Sequence, residues 1–473
     1  MRSLRLIACG ASLLLGLSGC ALGPQYERPE IDLPESWPES QAPARPAAES
    51  AWWTRFEDPV LDGLVARALA DNLDLRLAAA RVGEARARLG FARAEQFPSI
   101  GLQAEATRQR QPAAAIGIEG LEIPPRNVFS VAGSLAYEVD LWGRLARQRE
   151  AAGAQLRRSV YAQEAVRVAL VADVVAGYYG LLAAREQLAV TERTVDSRRE
   201  NVRVQRLRFE AGMIDELALR QAEAELASVL AQLPGRVDAV QRLESALGIL
   251  LGLSPAELLA ESLPQSGRLA TAAGPAPIPA VLPAELLARR PDLRAAEAAL
   301  EAATAGVGVA MAARLPQLNL AALLGSTAAE TGDLFGSEAE TWRVGAGLAG
   351  PLLDFGRSRA GVETAEAQRE QAELQYRAAV AAAVAEVRDG LRAYDNALGT
   401  LAAVEDQVAA LRRTEALADI RYREGYVSIV ELLDAQRALL GAEVVLAQAR
   451  ADRFVASATL YKALGGDWEE GAW

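Results

Sequence analysis

The 473-residue chain contains no histidine. That removes the commonest general base, the commonest metal ligand and the usual Ser–His and Cys–His catalytic groups. Only two cysteines occur, Cys9 and Cys20, both in an N-terminal leader, so no disulfide is expected in the remainder. Aromatics make up 5% of residues against 51% hydrophobic overall. The apolar content is therefore carried by small and aliphatic side chains, which favour closely packed helices. A net charge of −12 argues against a nucleic-acid partner. Past the leader no run of 18 apolar residues occurs, so no membrane-spanning helix is expected. No phosphate loop, metal cluster or nucleophile group is written in the sequence, so neither an enzyme nor a bound cofactor is expected.

What is present begins with the leader. Arg2 and Arg5 precede an apolar stretch from Leu6 to Leu17, too short to cross a bilayer. Residues 1–19 therefore read as an export signal. The signal ends in Leu17-Ser18-Gly19-Cys20, which resembles the lipobox of bacterial lipoproteins. The resemblance implies cleavage before Cys20, a covalent lipid on its thiol, and, with Ala21 following, sorting to the outer membrane. Residues 20–50 form a Pro-rich arm (Pro24, Pro29, Pro34, Pro38, Pro43, Pro46) that reads as extended chain.

A unit is then written twice. Asp74-Leu75-Arg76 opens a helical run ending at Phe97-Pro98, followed by SIGLQAEATR; Asp292-Leu293-Arg294 opens another ending at Leu315-Pro316, followed by QLNLAALLG. The offset is 218 residues there. It is 213 between DLWGR (140–144) and LDFGR (353–357), and still 213 between Phe209…Gly212 and Tyr422…Gly425. Each copy, 51–253 and 284–464, reads as helix, strand, loop, strand, long helix, reversal, returning helix. Residues 254–283 form a connector and 465–473 a tail. The five-residue difference falls in the strand–loop–strand part, where insertions are tolerated.

Strands are expected at about 99–109, 127–141, 317–326 and 341–353. In the second, Phe129, Val131, Leu135, Tyr137 and Val139 alternate with Ser130, Ser134, Glu138 and Asp140. Ile100, Leu102, Ala104 and Ala106 alternate with Gln103, Glu105 and Thr107. Trp342, Val344, Ala346 and Leu348 form a similar face opposite Arg343. A tilted transmembrane strand has this period and length, and so does a half-buried soluble strand. Four strands cannot close a transmembrane barrel, whose smallest members have about eight, and open edges in lipid leave backbone groups unsatisfied. If the strands lie in a membrane, several chains must share the barrel.

Long helices are expected over about 142–209 and 355–422, neither containing proline. Roughly 68 helical residues would reach about 100 Å. Val166, Leu170, Val174, Tyr178 and Leu182 recur every four, with Val168, Val171 and Val175 on a neighbouring flank. Such a helix needs neighbours on two sides.

The lipobox, AWWTRFEDPVLDGLVARAL, YEVDLWGR, LLARRPDLRAAE, LLDFGR, RYREGYVSIVELLDAQRALL and LYKALGGDW together resemble the outer membrane factors of multidrug efflux. The resemblance is strongest to the OprM-like, NodT-type lipoproteins of the TolC superfamily, and it runs through nearly the whole mature chain. It implies a mainly α fold with membrane β: three chains, each giving four strands to a 12-stranded outer-membrane barrel continued by a periplasmic α-helical barrel. It also implies a homotrimer, a periplasmic membrane-fusion adaptor, an inner-membrane RND pump and contact with outer-membrane lipid. The function implied is the exit duct of a multidrug efflux system. The same conduit could serve metal-ion efflux or type I protein secretion, and a lipid-anchored periplasmic coiled-coil scaffold would explain the helices without channel activity.

Residue by residue, the resemblance implies strand-to-helix joints at Gly143 and Gly356, and adaptor-contacting tips at Gly212 and Gly425. It implies a periplasmic gate of Tyr422, Val430, Asp434 and Arg437, with Arg421 as a second possible partner of Asp434. Family members often carry leucine where Val430 stands. Val430, Asp434 and Arg437 are spaced i, i+4, i+7 and share a helical face; around a threefold axis Asp434 would form a ring of carboxylates. Gly345, Gly347 and Gly350 spell a dinucleotide-binding pattern, but Pro351 follows where a helix should begin, so small residues in a strand are the better account. Glu469 and Glu470 read as a solvated tail. The lipobox generates the first test: Cys20→Ser should abolish palmitate incorporation and slow signal cleavage, and labelling that persists in the variant would sink the assignment.

Overall fold

In a computed structural model the protein is described over residues 22–34, 51–110, 124–260, 269 and 283–466. The leader, Cys20 and the acidic tail pair lie outside those residues. After a short 3-10 turn at Trp52–Phe56 come α1 (Pro59–Asp71), α2 (Leu73–Ala94), β1 (Ser99–Gln109), β2 (Arg126–Val139), α3 (Arg144–Glu210), α4 (Glu216–Leu250) and α5 (Pro255–Ala260). The second copy gives α6 (Leu286–Arg289), α7 (Pro291–Ala312), β3 (Gln317–Ala328), β4 (Glu340–Ala349), α8 (Arg357–Arg423) and α9 (Ile429–Ala463). The two long helices have 67 residues each and the two returning helices 35 each. α2 and α7 have 22 each. The offset is thus 218 up to the first strand of each copy and 213 throughout the helical hairpins.

The repeats are not the compact units. One unit comprises residues 1–30, 81–159 and 295–376; the other comprises 31–80, 160–294 and 377–473. Each draws pieces from both copies. The sheet joins the two strand pairs through β2 and β3, and the helical core joins the two hairpins, as Tyr179 and Phe454 show.

The first unit holds one antiparallel sheet in the order β1-β2-β3-β4. Its register sets Ile100 beside Leu135, Ala322 and Val344 across four strands, and Leu102 beside Gly133, Leu324 and Trp342. Tyr137, Leu320 and Ala346 form the next row, and Val139, Leu318 and Leu348 the one after. These four rows make an apolar patch on one face, bounded towards the loop ends by the row Ala104, Val131, Ser326 and Glu340, and its Ile100, Leu102, Leu324, Trp342 and Val344 stand exposed on the isolated chain. The other face carries Gln103, Glu105, Ser130, Ser134, Glu138, Asn319 and Arg343. Gly345 and Gly347 lie in β4, where the dinucleotide reading has no helix to use.

β2 ends two residues, and β4 four, before the limits expected from alternation. Asp140 has already turned to cap α3, accepting from the Leu145 and Ala146 amides at 3.1 and 2.8 Å. Asp354 does the same before α8, accepting from Gly356 and Ser358 at 3.1 and 2.9 Å. Between cap and helix, Gly143 (φ 74°) and Gly356 (φ 92°) take the left-handed conformation that suits glycine. Trp142 Nε1 donates to the Pro316 carbonyl at 2.7 Å, tying the end of β2 to the start of β3.

The second unit is built on an aromatic core. Tyr179 stacks on Phe454 at 3.9 Å, Phe56 meets both rings, and Trp52 stacks on Tyr461 at 4.8 Å. Tyr178 donates its hydroxyl to Asp58 at 2.8 Å, and the same carboxylate caps α1. The expectation that no helix could span a membrane needs correction. α3 and α7 each contain an 18-residue window long and apolar enough to do so, because a few interrupting charges break the run without removing its apolar character. In α3 that character goes into this core, through Val171, Val174, Val175, Tyr178 and Tyr179. Phe454, fully buried, should cost about 3–5 kcal/mol on truncation to alanine. Thermal unfolding of the solubilised protein should show a clear drop in midpoint for Phe454→Ala and none for exposed Met213→Ala.

Candidate functional site

Both long helices end on one device. Met213 N–H donates to Arg208 O at 2.8 Å and Gly212 N–H to Phe209 O at 2.9 Å; in the second copy Tyr426 donates to Arg421 at 2.8 Å and Gly425 to Tyr422 at 3.1 Å. This pattern needs a left-handed residue past the helix end, supplied by Gly212 (φ 67°) and Gly425 (φ 80°). The chain then re-enters helix: Asp215 caps α4 by accepting from Ala218 N–H at 2.9 Å, whereas Ser428 precedes α9 without a side-chain cap. Met213 and Tyr426 are left exposed on the turns.

Next to these turns the structure brings together some of the expected gate residues. Arg437 donates to Asp434 Oδ1 at 2.7 Å, and Val430, Asp434 and Arg437 are all exposed on α9. Tyr422 instead donates its hydroxyl to Gln205 Oε1 of α3 at 3.0 Å, with the Arg208 guanidinium 5.8 Å from its ring centre. Arg421 is exposed and enters no ion pair among the described residues, so Arg437 is the arginine beside Asp434.

Sequence reasoning missed the buried half of this cluster. Arg437 Nε also donates to Glu225 Oε2 of α4 at 2.6 Å. The Glu225 side chain is 5% exposed, and Arg198 of α3, 3% exposed, approaches its other oxygen at 3.9 Å. Arg198 donates to Gln436, which in turn donates to Glu415 at 3.1 Å. Burial pushes the Arg198 guanidinium below its usual range, opposed by the charges of Glu225 and Glu415. The hydrogen bond to Glu225 lifts that of Arg437. Magnitudes rank the two carboxylates. Asp434 is 63% exposed, and exposed pairs are worth about 0.2–1 kcal/mol. Stripping one partner from a buried pair costs about 3–5 kcal/mol, because a desolvated charge is left behind. Glu225 is therefore the residue on which this contact depends. Around it Val202, Ala222, Ile429 and Leu433 form an apolar cluster, against which Tyr422 packs.

The duplication offered a signal that could have found these residues. At the 213-residue offset Glu225 corresponds to Ala438, Arg198 to Leu411, Gln205 to Ala418 and Glu415 to Val202. Packing positions agree instead: Leu219 corresponds to Leu432 and Leu247 to Leu460, all buried. The cluster thus occupies positions where the copies diverge from apolar to polar, and such a change at a buried helix position requires a partner. Chemically, the arrangement fastens α3 and α4 to α9 while leaving Asp434 facing outward. Among the described residues no three acidic, His or Cys side chains converge in a way that could hold a metal ion.

Comparison with known proteins bears on the whole chain. The family described as outer membrane efflux protein matches residues 64–253 and 282–466. The toluene efflux pump outer membrane protein TtgC of Pseudomonas putida is 33% identical over 463 residues, covering 96% of this chain and 94% of the relative. The cation efflux system protein CusC of Escherichia coli is 30% identical over 464 residues, covering 96% and 97%. Among solved structures, the CmeC outer membrane channel of Campylobacter jejuni superposes with a TM-score of 0.87 at 25% identity, covering 95% of this chain and 96% of that one. With both copies of the repeat matched and full-length relatives above 30% identity, the chain belongs to the outer membrane efflux protein family.

Proposed function

We propose that this protein is the exit duct of a tripartite multidrug efflux system, passively conducting substrates delivered by an RND-type pump through a periplasmic adaptor. The observation that carries the reading is the sheet. Apolar rows lie side by side on one face of a four-strand sheet whose two outer edges have no partner among the described residues. In hydrocarbon those edges would leave backbone groups unsatisfied at several kcal/mol each. Three copies would pair β1 of one with β4 of the next, remove every edge and give a barrel of about 12 strands. Mass measurement in mild detergent should return a trimer, and planar-bilayer recording should return discrete channels. A stable monomer without conductance would favour a lipid-anchored scaffold.

The relatives are named for different cargoes, toluene for one and cations for another, and a passive conduit need not encode its cargo. Multidrug efflux is preferred over metal-ion efflux and protein secretion because relatives of the drug and solvent group have the higher identity. A deletion strain challenged separately with drugs, metal salts and a secreted reporter distinguishes the three.

The cluster around Glu225 supports a gate at the periplasmic end. Asp434, paired but exposed, would ring the axis of the trimer, while Glu225 holds the hairpins together behind it. Two outcomes follow. Asp434→Ala should raise single-channel conductance and weaken block by multivalent cations, with little change in thermal midpoint; unchanged conductance and block would put the constriction elsewhere. Glu225→Ala should destabilise the hairpin contact by about 3–5 kcal/mol. Combined with Arg437→Ala its effect should be non-additive by at least about 0.5 kcal/mol in a double-mutant cycle. Strict additivity would mean that the two do not act as a pair.

A further inference from the structure

The N-terminal arm is held by a set of contacts that the duct reading does not use. Leu22 N–H donates to the Trp142 carbonyl at 3.3 Å. Arg147, buried at the start of α3, donates from Nε to Leu22 O at 3.1 Å and from a terminal nitrogen to Gly23 O at 3.3 Å. Gly23 (φ 97°) crosses α7 so closely that a Cβ on it would lie 2.5 Å from Gly308 Cα, and a Cβ on Gly308 would lie 2.7 Å from Leu22 O. Further along, Arg28 makes a two-pronged contact with Glu297 of α7 at 2.7 and 2.9 Å, and Tyr26 donates to the same carboxylate at 3.0 Å. Glu297 is 8% exposed.

The repeat supplies an internal control. The chain has one N-terminal arm but two copies of the helices. Glu297 corresponds at offset 218 to Ala79, and Arg147 corresponds at offset 213 to Ala360. Gly308 corresponds to Gly90, whose Cβ position has nothing within 4 Å. Each buried charge occurs only on the helix that meets the arm at that point, α7 for Glu297 and α3 for Arg147, and the space left by the glycine is filled at Gly308 and not at Gly90. A buried arginine and a buried glutamate are costly residues to keep without partners. Glu297 finds its partners in the arm, and Arg147 divides its guanidinium between Glu150 at 2.8 Å and the arm carbonyls.

We propose that Arg147, Gly308 and Glu297 form a docking site for the chain's own residues 22–28, a clasp that fixes where the N-terminal end leaves the protein. Leu22 is seated on Trp142, at the joint just beyond β2, and two residues of chain span at most about 7 Å. With Cys20 as the acylated residue, a reading on which this consequence rests, the clasp ties the lipid to the protein only two residues before the point held at the end of β2. The lipid would then act as a depth stop for the sheet as well as a tether.

The test uses the full-length protein in detergent and follows cleavage by a glutamate-specific protease after Glu27 and Glu30. Glu297→Ala and Arg147→Ala, each placing the residue found in the other copy, should speed cleavage at least tenfold. Glu301→Ala on the same helix and Gly90→Ala should not, while Gly308→Ala should speed it. Rates equal to wild type in Glu297→Ala, Arg147→Ala and their double variant would overturn the clasp. The mass of the released N-terminal fragment reports separately whether Cys20 carries lipid, so failure of the acylation reading is distinguishable from failure of the docking.

Discussion

Backbone amides and carbonyls inside a bilayer must be hydrogen-bonded, and a four-strand sheet leaves two rows of them open. Most of this protein follows from that constraint. The strands are amphipathic because one face meets lipid and the other does not. On the proposed trimer, the sheet is incomplete in one chain because its missing partners are other copies of the same edges. Each chain then has to present its strands in one fixed register, and the work of fixing it falls on the joints. There Asp140, Gly143 and Trp142, and on the other side Asp354 and Gly356, turn strand into helix within a few residues.

Duplication supplies the architecture, and divergence supplies what is specific. Some positions that pack helix on helix have kept the same residue in both copies, as Leu219 and Leu432 or Leu247 and Leu460 have. Positions that recognise something present only once have not. The clasp on the arm and the polar cluster near the tips both place charges opposite apolar residues of the other copy: Glu297 opposite Ala79, Arg147 opposite Ala360, Glu225 opposite Ala438 and Arg198 opposite Leu411. A symmetric pair of hairpins could associate in more than one way; a buried carboxylate on one and its arginine on the other exclude the alternatives by leaving a charge unpaired.

Much of the fold was legible because its signals are local and periodic. Strand alternation, proline-free helices, reversal glycines and the shift of offset from 218 to 213 can all be read along the chain. Strand ends were overrun because Asp140 still fits the alternation, although its carboxylate is already committed to α3. The exposed part of the candidate gate came from the family resemblance, and the spacing of Val430, Asp434 and Arg437 added only that they share one helical face. Glu225 was not: it sits among alanines on an ordinary helix, and its arginine is 212 residues away. Glu297 was hidden in the same manner, its arm partner being 269 residues distant. Local pattern carries no information about such pairs, whereas comparison of the two copies does.

The equal lengths of corresponding helices have a mechanical meaning. Each residue added to an α-helix advances it by about 1.5 Å and rotates everything beyond it by about 100°. One residue lost between Asp215 and Glu225 would therefore swing the buried carboxylate through more than a quarter turn, away from Arg437 and towards water. The helices behave as phase-locked rulers, in which length and angular setting cannot be varied separately. The loop between the strands has no such coupling between distant side chains. The five residues by which the copies differ lie there, in the part of the repeat that can lengthen without rotating anything else.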